Sequence, residues 1–215
     1  MKLMISLLVI LLLAGCQPKR LDNDFEGKIV YKMFDWETHD VDSIKKADLE
    51  FGFLKDSMIS YFDEGSFLSI AVGSPYEYQY LNPHTNEFWL KLKNNDSVRV
   101  LNSGKPFPGQ TPLLDVWQEL NTDTILGHVC HKLTLKFKEE TRIYLYSPDL
   151  VTNPEWYQQT KAFNYDVIYK RMKAYYLSMR CIYPNNSFTL RATGIYPGKV
   201  PANIFPKVDK SLQVR

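Results

Sequence analysis

The tetrapeptide His128-Val129-Cys130-His131 carries the side chains best suited to chemistry. Imidazole nitrogen and thiolate sulfur are common zinc ligands, and a thiolate beside an imidazole can act as a nucleophile. The spacing argues against both uses. Side chains alternate along a strand, so His128 and Cys130 point one way and His131 the other. The three cannot close on one ion. No second cluster has ligand spacing, and His39 and His84 stand alone in polar segments. A nucleophile elbow of the G-x-S-x-G kind is missing; Glu64-Gly65-Ser66-Phe67 and Asn102-Ser103-Gly104 read as ordinary turns. Neither phosphate-cradling glycine pattern occurs. Glu139-Glu140 reads as a solvated hairpin turn. No catalytic residue, metal ligand or cofactor is therefore expected.

Cys16 differs from the other cysteines by its setting. Met1 and Lys2 precede Leu3 to Leu13, which is apolar apart from Ser6. That run is too short for a ~30 Å hydrocarbon core, which needs about 20 apolar residues. It fits the apolar region of a secretory signal. Leu13-Ala14-Gly15-Cys16 follows, and the chain turns polar at Gln17-Pro18-Lys19-Arg20. The tetrapeptide resembles the lipobox of bacterial lipoproteins. The resemblance implies that residues 1–15 are a cleaved signal and that the Cys16 sulfur receives a diacylglyceryl group. The new amine would usually be acylated too, and two or more chains anchor a protein stably to a membrane. An ordinary signal cut near Ala14 and an N-terminal membrane anchor are the other readings. By resemblance to enterobacterial sorting, Gln17 in place of an acidic residue implies the outer membrane, facing the periplasm.

The remainder divides into a polar tether, 16–24, and a single β-rich domain, 25–215. A net charge of +2 makes no electrostatic case for nucleic acid. Fourteen Tyr and twelve Phe favour strands over helices. In an oxidising envelope, Cys130 and Cys181 could form a disulfide; two buried free thiols are the alternative.

Period-two alternation begins at Phe25, with Phe25, Gly27, Ile29, Tyr31 and Met33 on one face. Residues 35–47 are polar. Short runs then follow at 49–54, 58–62, 67–72, 76–81, 88–92 and 98–101. They are separated by turn residues such as Asp63-Glu64-Gly65-Ser66 and Lys93-Asn94-Asn95-Asp96. This is the pattern of an antiparallel meander. Ser103 to Pro112 is a loop. Leu113 to Leu120 places Leu113, Val116, Trp117 and Leu120 at helical spacing and reads as two helical turns. Asp123 to Phe137, broken at Gly127, and Thr141 to Ser147 form strands. Tyr165 to Tyr176 suits helix and strand equally. Leu177 to Tyr183 and Phe188 to Tyr196 pair across Pro184-Asn185-Asn186, and the proline-bearing tail ends in a charged segment that reads as frayed.

An early F-x-G-x-I-x-Y strand (Phe25, Gly27, Ile29, Tyr31), the block Thr124 to Leu133, a Trp-containing connector and Phe205-Pro206 together resemble the DUF4412 and GLPGLI groups. Those are extracytoplasmic proteins of Bacteroidota, similar in shape to the LolA/LppX lipoprotein-localisation fold. The resemblance, over roughly residues 25–206, implies a curved antiparallel sheet or half-barrel covered by a few short helices. Tyr76, Tyr78 and Tyr80, with Phe88-Trp89, Trp117, Trp156-Tyr157, Tyr175-Tyr176 and Phe188, are the rings that could line an apolar pocket under such a cover; filling the core is their alternative role. The expected function is a non-enzymatic, membrane-anchored envelope protein that binds a hydrophobic ligand or a protein partner. An accessory subunit without a pocket and an envelope hydrolase are the alternatives.

Overall fold

A computed structural model describes residues 24–38, 57–207 and 213–214. Cys16, the tether before residue 24 and the run 49–54 lie outside those residues. The turn residues read from the sequence divide the chain where expected. β1 (Gly27–Thr38), β2 (Ser57–Asp63), β3 (Ser66–Ala71), β4 (Tyr76–Asn82), β5 (Glu87–Leu92) and β6 (Val98–Asn102) form one antiparallel meander. β7 (Leu113–Ile125), β8 (His128–Phe137), β9 (Thr141–Val151), β10 (Ala174–Ile182) and β11 (Asn186–Pro197) form a second. β1 joins them by pairing with β11, and the short β12 (Gln213–Val214) adds in parallel to β6. The order is β12-β6-β5-β4-β3-β2-β1-β11-β10-β9-β8-β7. The fold is mainly antiparallel β, as expected.

Two tight turns set the register. Glu64 and Gly65, at φ 46° and 76°, link β2 to β3, and Leu126 and Gly127, at 51° and 84°, link β7 to β8. Positive φ at both central residues matches the natural twist of paired strands. Gly65 meets a further demand, because the Trp156 ring lies where its Cβ would be.

The sheet is open but strongly curved. Arg99 on β6 and Arg142 on β9 border the same cavity, although their strands stand eight places apart. At about 4.8 Å per strand a flat sheet would hold them roughly 38 Å apart. The concave face carries the main core, including Ile29, Phe62, Leu81, Leu133, Tyr144 and Leu177.

A cover from 152–173 closes part of that face. It comprises 3-10 turns at Pro154–Tyr157 and Ala162–Asn164 and the helix α1 (Tyr165–Met172). α1 turns Ile168, Tyr169 and Met172 inward and Lys170 and Arg171 outward. Its C-cap Lys173 adopts a left-handed conformation, and its N–H bonds the Tyr169 carbonyl at 2.9 Å. The ambiguous run 165–176 thus divides between α1 and the start of β10. No helix among the described residues is long and apolar enough to cross a membrane.

Two expectations are corrected. Leu113 to Leu120 is not helical but belongs to the 13-residue strand β7. Pairing with β8 through the Leu126-Gly127 turn overrides the helical spacing, and Leu114, Trp117 and Leu120 remain exposed. The proline-bearing tail is packed as far as residue 207, and most of the charged end that the sequence reads as frayed lies outside the described residues. Phe205 and Ile204 lie against Tyr80 and its neighbours on the convex face, and the Val200 N–H donates to Glu26 Oε1 at 2.7 Å. Cys130 and Cys181 are buried free thiols, not a disulfide. Cys181 lies opposite Arg142, which lies opposite Leu135; Cys130 is five residues further along β8. That offset is about 17 Å along the strand, against the roughly 7 Å that a disulfide spans between Cα atoms.

Candidate functional site

Between the concave face and the cover is a cavity of about 640 Å³. This volume lies within the ~300–1,000 Å³ usual for small-molecule sites. Strand alternation supplies its walls. Met58, Phe67, Phe88 and Leu90 come from β2, β3 and β5; Tyr144, Tyr176, Met179 and Leu190 come from β9, β10 and β11. Each is apolar or aromatic and sits where its strand turns a side chain inward.

The roof comes from irregular chain. Phe107, in the connection that carries β6 across to β7, stacks on Phe163 of the cover with ring centres 4.6 Å apart. Phe163 also meets Phe88 and Tyr165 edge-on or tilted, at 5.5 and 5.7 Å. Gln110 clamps the two segments. Its Oε1 accepts from the N–H groups of Phe107 (3.1 Å) and Phe163 (2.6 Å), and its Nε2 donates to the Lys161 carbonyl at 3.2 Å. The far side of the cover is held by Tyr157. Its hydroxyl donates to the Gly65 carbonyl at 2.7 Å, and its ring stacks on Tyr169 at 3.8 Å.

Polar groups gather at one end, beside the hairpin turns at Glu139-Glu140 and Tyr183–Asn186. Arg142 donates from Nε and, at 2.9 Å, from Nη2 to the two carboxylate oxygens of Glu140. The Tyr183 hydroxyl donates to the same carboxylate at 3.2 Å. Burial by itself would lower the Arg142 pKa; the hydrogen bonds to Glu140 and the electrostatic interactions with Tyr144, Cys181 and Glu140 together outweigh it, so it is held well above its ordinary value. Burial pushes the Cys181 thiol far up, which leaves it protonated and a poor nucleophile. Burial likewise raises Tyr144 and Tyr176, so both line the cavity as neutral phenols.

Of the eleven rings expected at a pocket, Tyr76, Phe88 and Tyr176 line the cavity and the others do not. A register shift between Tyr76 and Tyr78 breaks the alternation of β4. Tyr78 and Tyr80 therefore pack with Leu68 and Trp89 in the convex-face cluster. An irregularity of this kind moves the following side chains to the other face. Trp117 is 41% exposed on the edge strand β7, and Trp156 is buried in the cover against Gly65. The lining residues overlooked by the sequence reading include Phe67, Phe107, Tyr144, Phe163 and Tyr165. The strand members occupied legible alternating positions, but which face was concave could not be read from them.

His128, Cys130 and His131 diverge as the alternation implies. His128 Nδ1 contacts Asp149 Oδ2 at 2.9 Å, Cys130 Sγ donates to the His128 carbonyl at 3.4 Å, and His131 Nδ1 accepts from the Asn121 N–H at 3.1 Å. Ser147 Oγ donates to the same Asp149 oxygen at 3.2 Å. The carboxylate thus stands between hydroxyl and imidazole, and its hydrogen bond with His128 holds its pKa below the usual range. In a Ser-His-Asp triad the imidazole occupies the middle place. No group of three His, Cys, Asp or Glu side chains among the described residues could hold a metal ion.

No protein-family model matches the sequence, and no curated protein is similar to it. Among solved structures, that of PNGF-II is similar over 87% of this chain, at 16% identity and a TM-score of 0.47. The chain spans 29% of the PNGF-II chain. A likeness at this level carries nothing about activity.

Proposed function

We propose that this protein is a non-enzymatic lipoprotein of the cell envelope, anchored by acyl chains on Cys16, that holds a hydrophobic ligand beneath its cover. The observation that carries the ligand reading is the 640 Å³ cavity with aromatic and aliphatic walls. A core meant only for stability would fill such a space, because interiors pack to near-crystalline density. The roof supports the reading too. It is a clamp of loop against short helix, not a strand of the sheet, so it can part without breaking a ladder. The anchor rests on the lipobox-like Leu13-Ala14-Gly15-Cys16.

Two measurements test these parts separately. Mass spectrometry of the protein from its native membrane should find a chain that begins at Cys16 with acyl mass; an unmodified Met1 start would remove the anchor. Delipidated protein should bind a fluorescent fatty-acid analogue saturably, with one site per chain. Failure to saturate would remove the ligand.

A second reading, docking to an envelope protein, is favoured by β7. Its outer edge is unpaired among the described residues, and Leu114 and Leu120 are 62% and 66% exposed. An open edge with apolar side chains suits the addition of a partner strand. Co-purification of a fixed partner that a Leu120→Lys substitution abolishes would support it.

A further inference from the structure

We propose, building on the ligand reading above, that the cavity selects a single-chain amphiphile with an oxyanion head, and that Arg142 and Asn186 receive that head at the polar end. The shared chemistry is a carboxylate or phosphate on an acyl chain.

Arg142 carries the argument. A cation on the wall of an apolar cavity costs desolvation energy unless it is paired, and this side chain is only 12% exposed. Glu140 pairs with it through Nε and one Nη2 hydrogen. The Phe137 ring lies 5.2 Å from its guanidinium carbon. A guanidinium has five N–H donors, so the ion pair uses one edge of the fork. The remaining donors have no protein acceptor among the described residues, and Arg142 borders the cavity. Glu140 therefore fixes the guanidinium in place and leaves its other edge free. That edge has the planar geometry that matches carboxylate and phosphate oxygens.

Asn186 gives an independent indication. It borders the same cavity, and its buried Oδ1 has no hydrogen-bond partner. An unsatisfied buried amide atom is uncommon and calls for a cause. Oxygen and nitrogen of an amide are interchangeable by a flip, so the group can present Nδ2 to an acceptor. Arg99 stands on the opposite wall and adds a second positive charge. Glu139 and Glu140 also border the site, but Glu140 is already engaged by Arg142 and Tyr183. An uncharged lipid would satisfy the rings of the wall and leave the free Arg142 edge empty. An acyl chain with an oxyanion satisfies both.

The test measures binding of palmitate, 1-palmitoyl lysophosphatidate and methyl palmitate to the delipidated mature chain. At least one of the two anions should bind about tenfold or more tightly than the ester, as expected of a charge-assisted hydrogen bond. Which anion leads identifies the carboxylate or the phosphate as the head. In the Glu140→Gln/Arg142→Gln double variant that preference should collapse to within about twofold. Both charges are removed together because removing Arg142 alone would strand a buried carboxylate; a thermal melt checks that the variant is folded. Should the double variant not fold, an Asn186→Leu variant should still reduce the preference several-fold. Equal binding of all three ligands overturns the proposal and leaves the ligand reading standing. Binding of none overturns both.

Discussion

Replacing Gly65 by alanine should loosen the cover through a single methyl group. Two costs are separable. The φ of 76° at Gly65 penalises any L side chain, by about 1–2 kcal/mol. The new Cβ would also stand 2.5 Å and 2.9 Å from Trp156 Cε3 and Cδ2, and 3.1 Å from Trp156 Cβ. Trp156 is buried, so the ring cannot swing into solvent. Either it or the β2–β3 turn must move, at about 1–3 kcal/mol. Reduced entropy of the unfolded chain returns about 0.4–1 kcal/mol. The sum is a loss of about 1–5 kcal/mol, centred on ~3. Gly127→Ala is the matched control, because that residue has φ 84° in an equivalent turn with nothing within 4 Å of its Cβ position. It should lose only the backbone share, about 1 kcal/mol. Urea unfolding followed by tryptophan fluorescence measures both. The two variants losing the same stability would refute the reasoning, since Trp156 would then not be resting on Gly65.

Gln110→Ala removes all three hydrogen bonds that clamp Phe107 to the cover. It should cost about 1–3 kcal/mol and speed ligand exchange, read by urea melts and stopped-flow release of a bound probe. In alkali the buried phenols should resist titration. Burial pushes Tyr165 and Tyr175 up to about 12, from the ordinary ~10. Between those values the unfolded chain loses protons that the folded chain keeps, so stability is fully present below about pH 10 and falls as pH rises through 12. Absorbance at 295 nm should show these tyrosines ionising late and together with loss of structure. Independent ionisation near pH 10, with circular dichroism unchanged, would contradict their burial.

The sequence alone determined the class of fold and most of the punctuation. Alternation from Phe25 onward and the turns at Asp63-Glu64-Gly65-Ser66 and Gly127 are local signals. They act through backbone preferences that need no distant partner, so strands and hairpins were legible. The absence of one-face spacing in His128-Val129-Cys130-His131 was legible for the same reason. Other features depended on residues far apart in the chain. Leu113 to Leu120 has helical spacing, and only pairing with β8 makes it a strand. The irregularity after Tyr76 sends Tyr78 and Tyr80 to the convex face, and a one-residue change in alternation leaves no reliable local mark. The pairing of β1 with β11 joins two meanders into one curved sheet. That curvature brings Phe67, Phe88, Tyr144 and Arg142 around one cavity. Alternation states which residues share a face; the tertiary fold alone decides which face is hollow, because curvature arises from the summed twist of all strands and the cover packed against them.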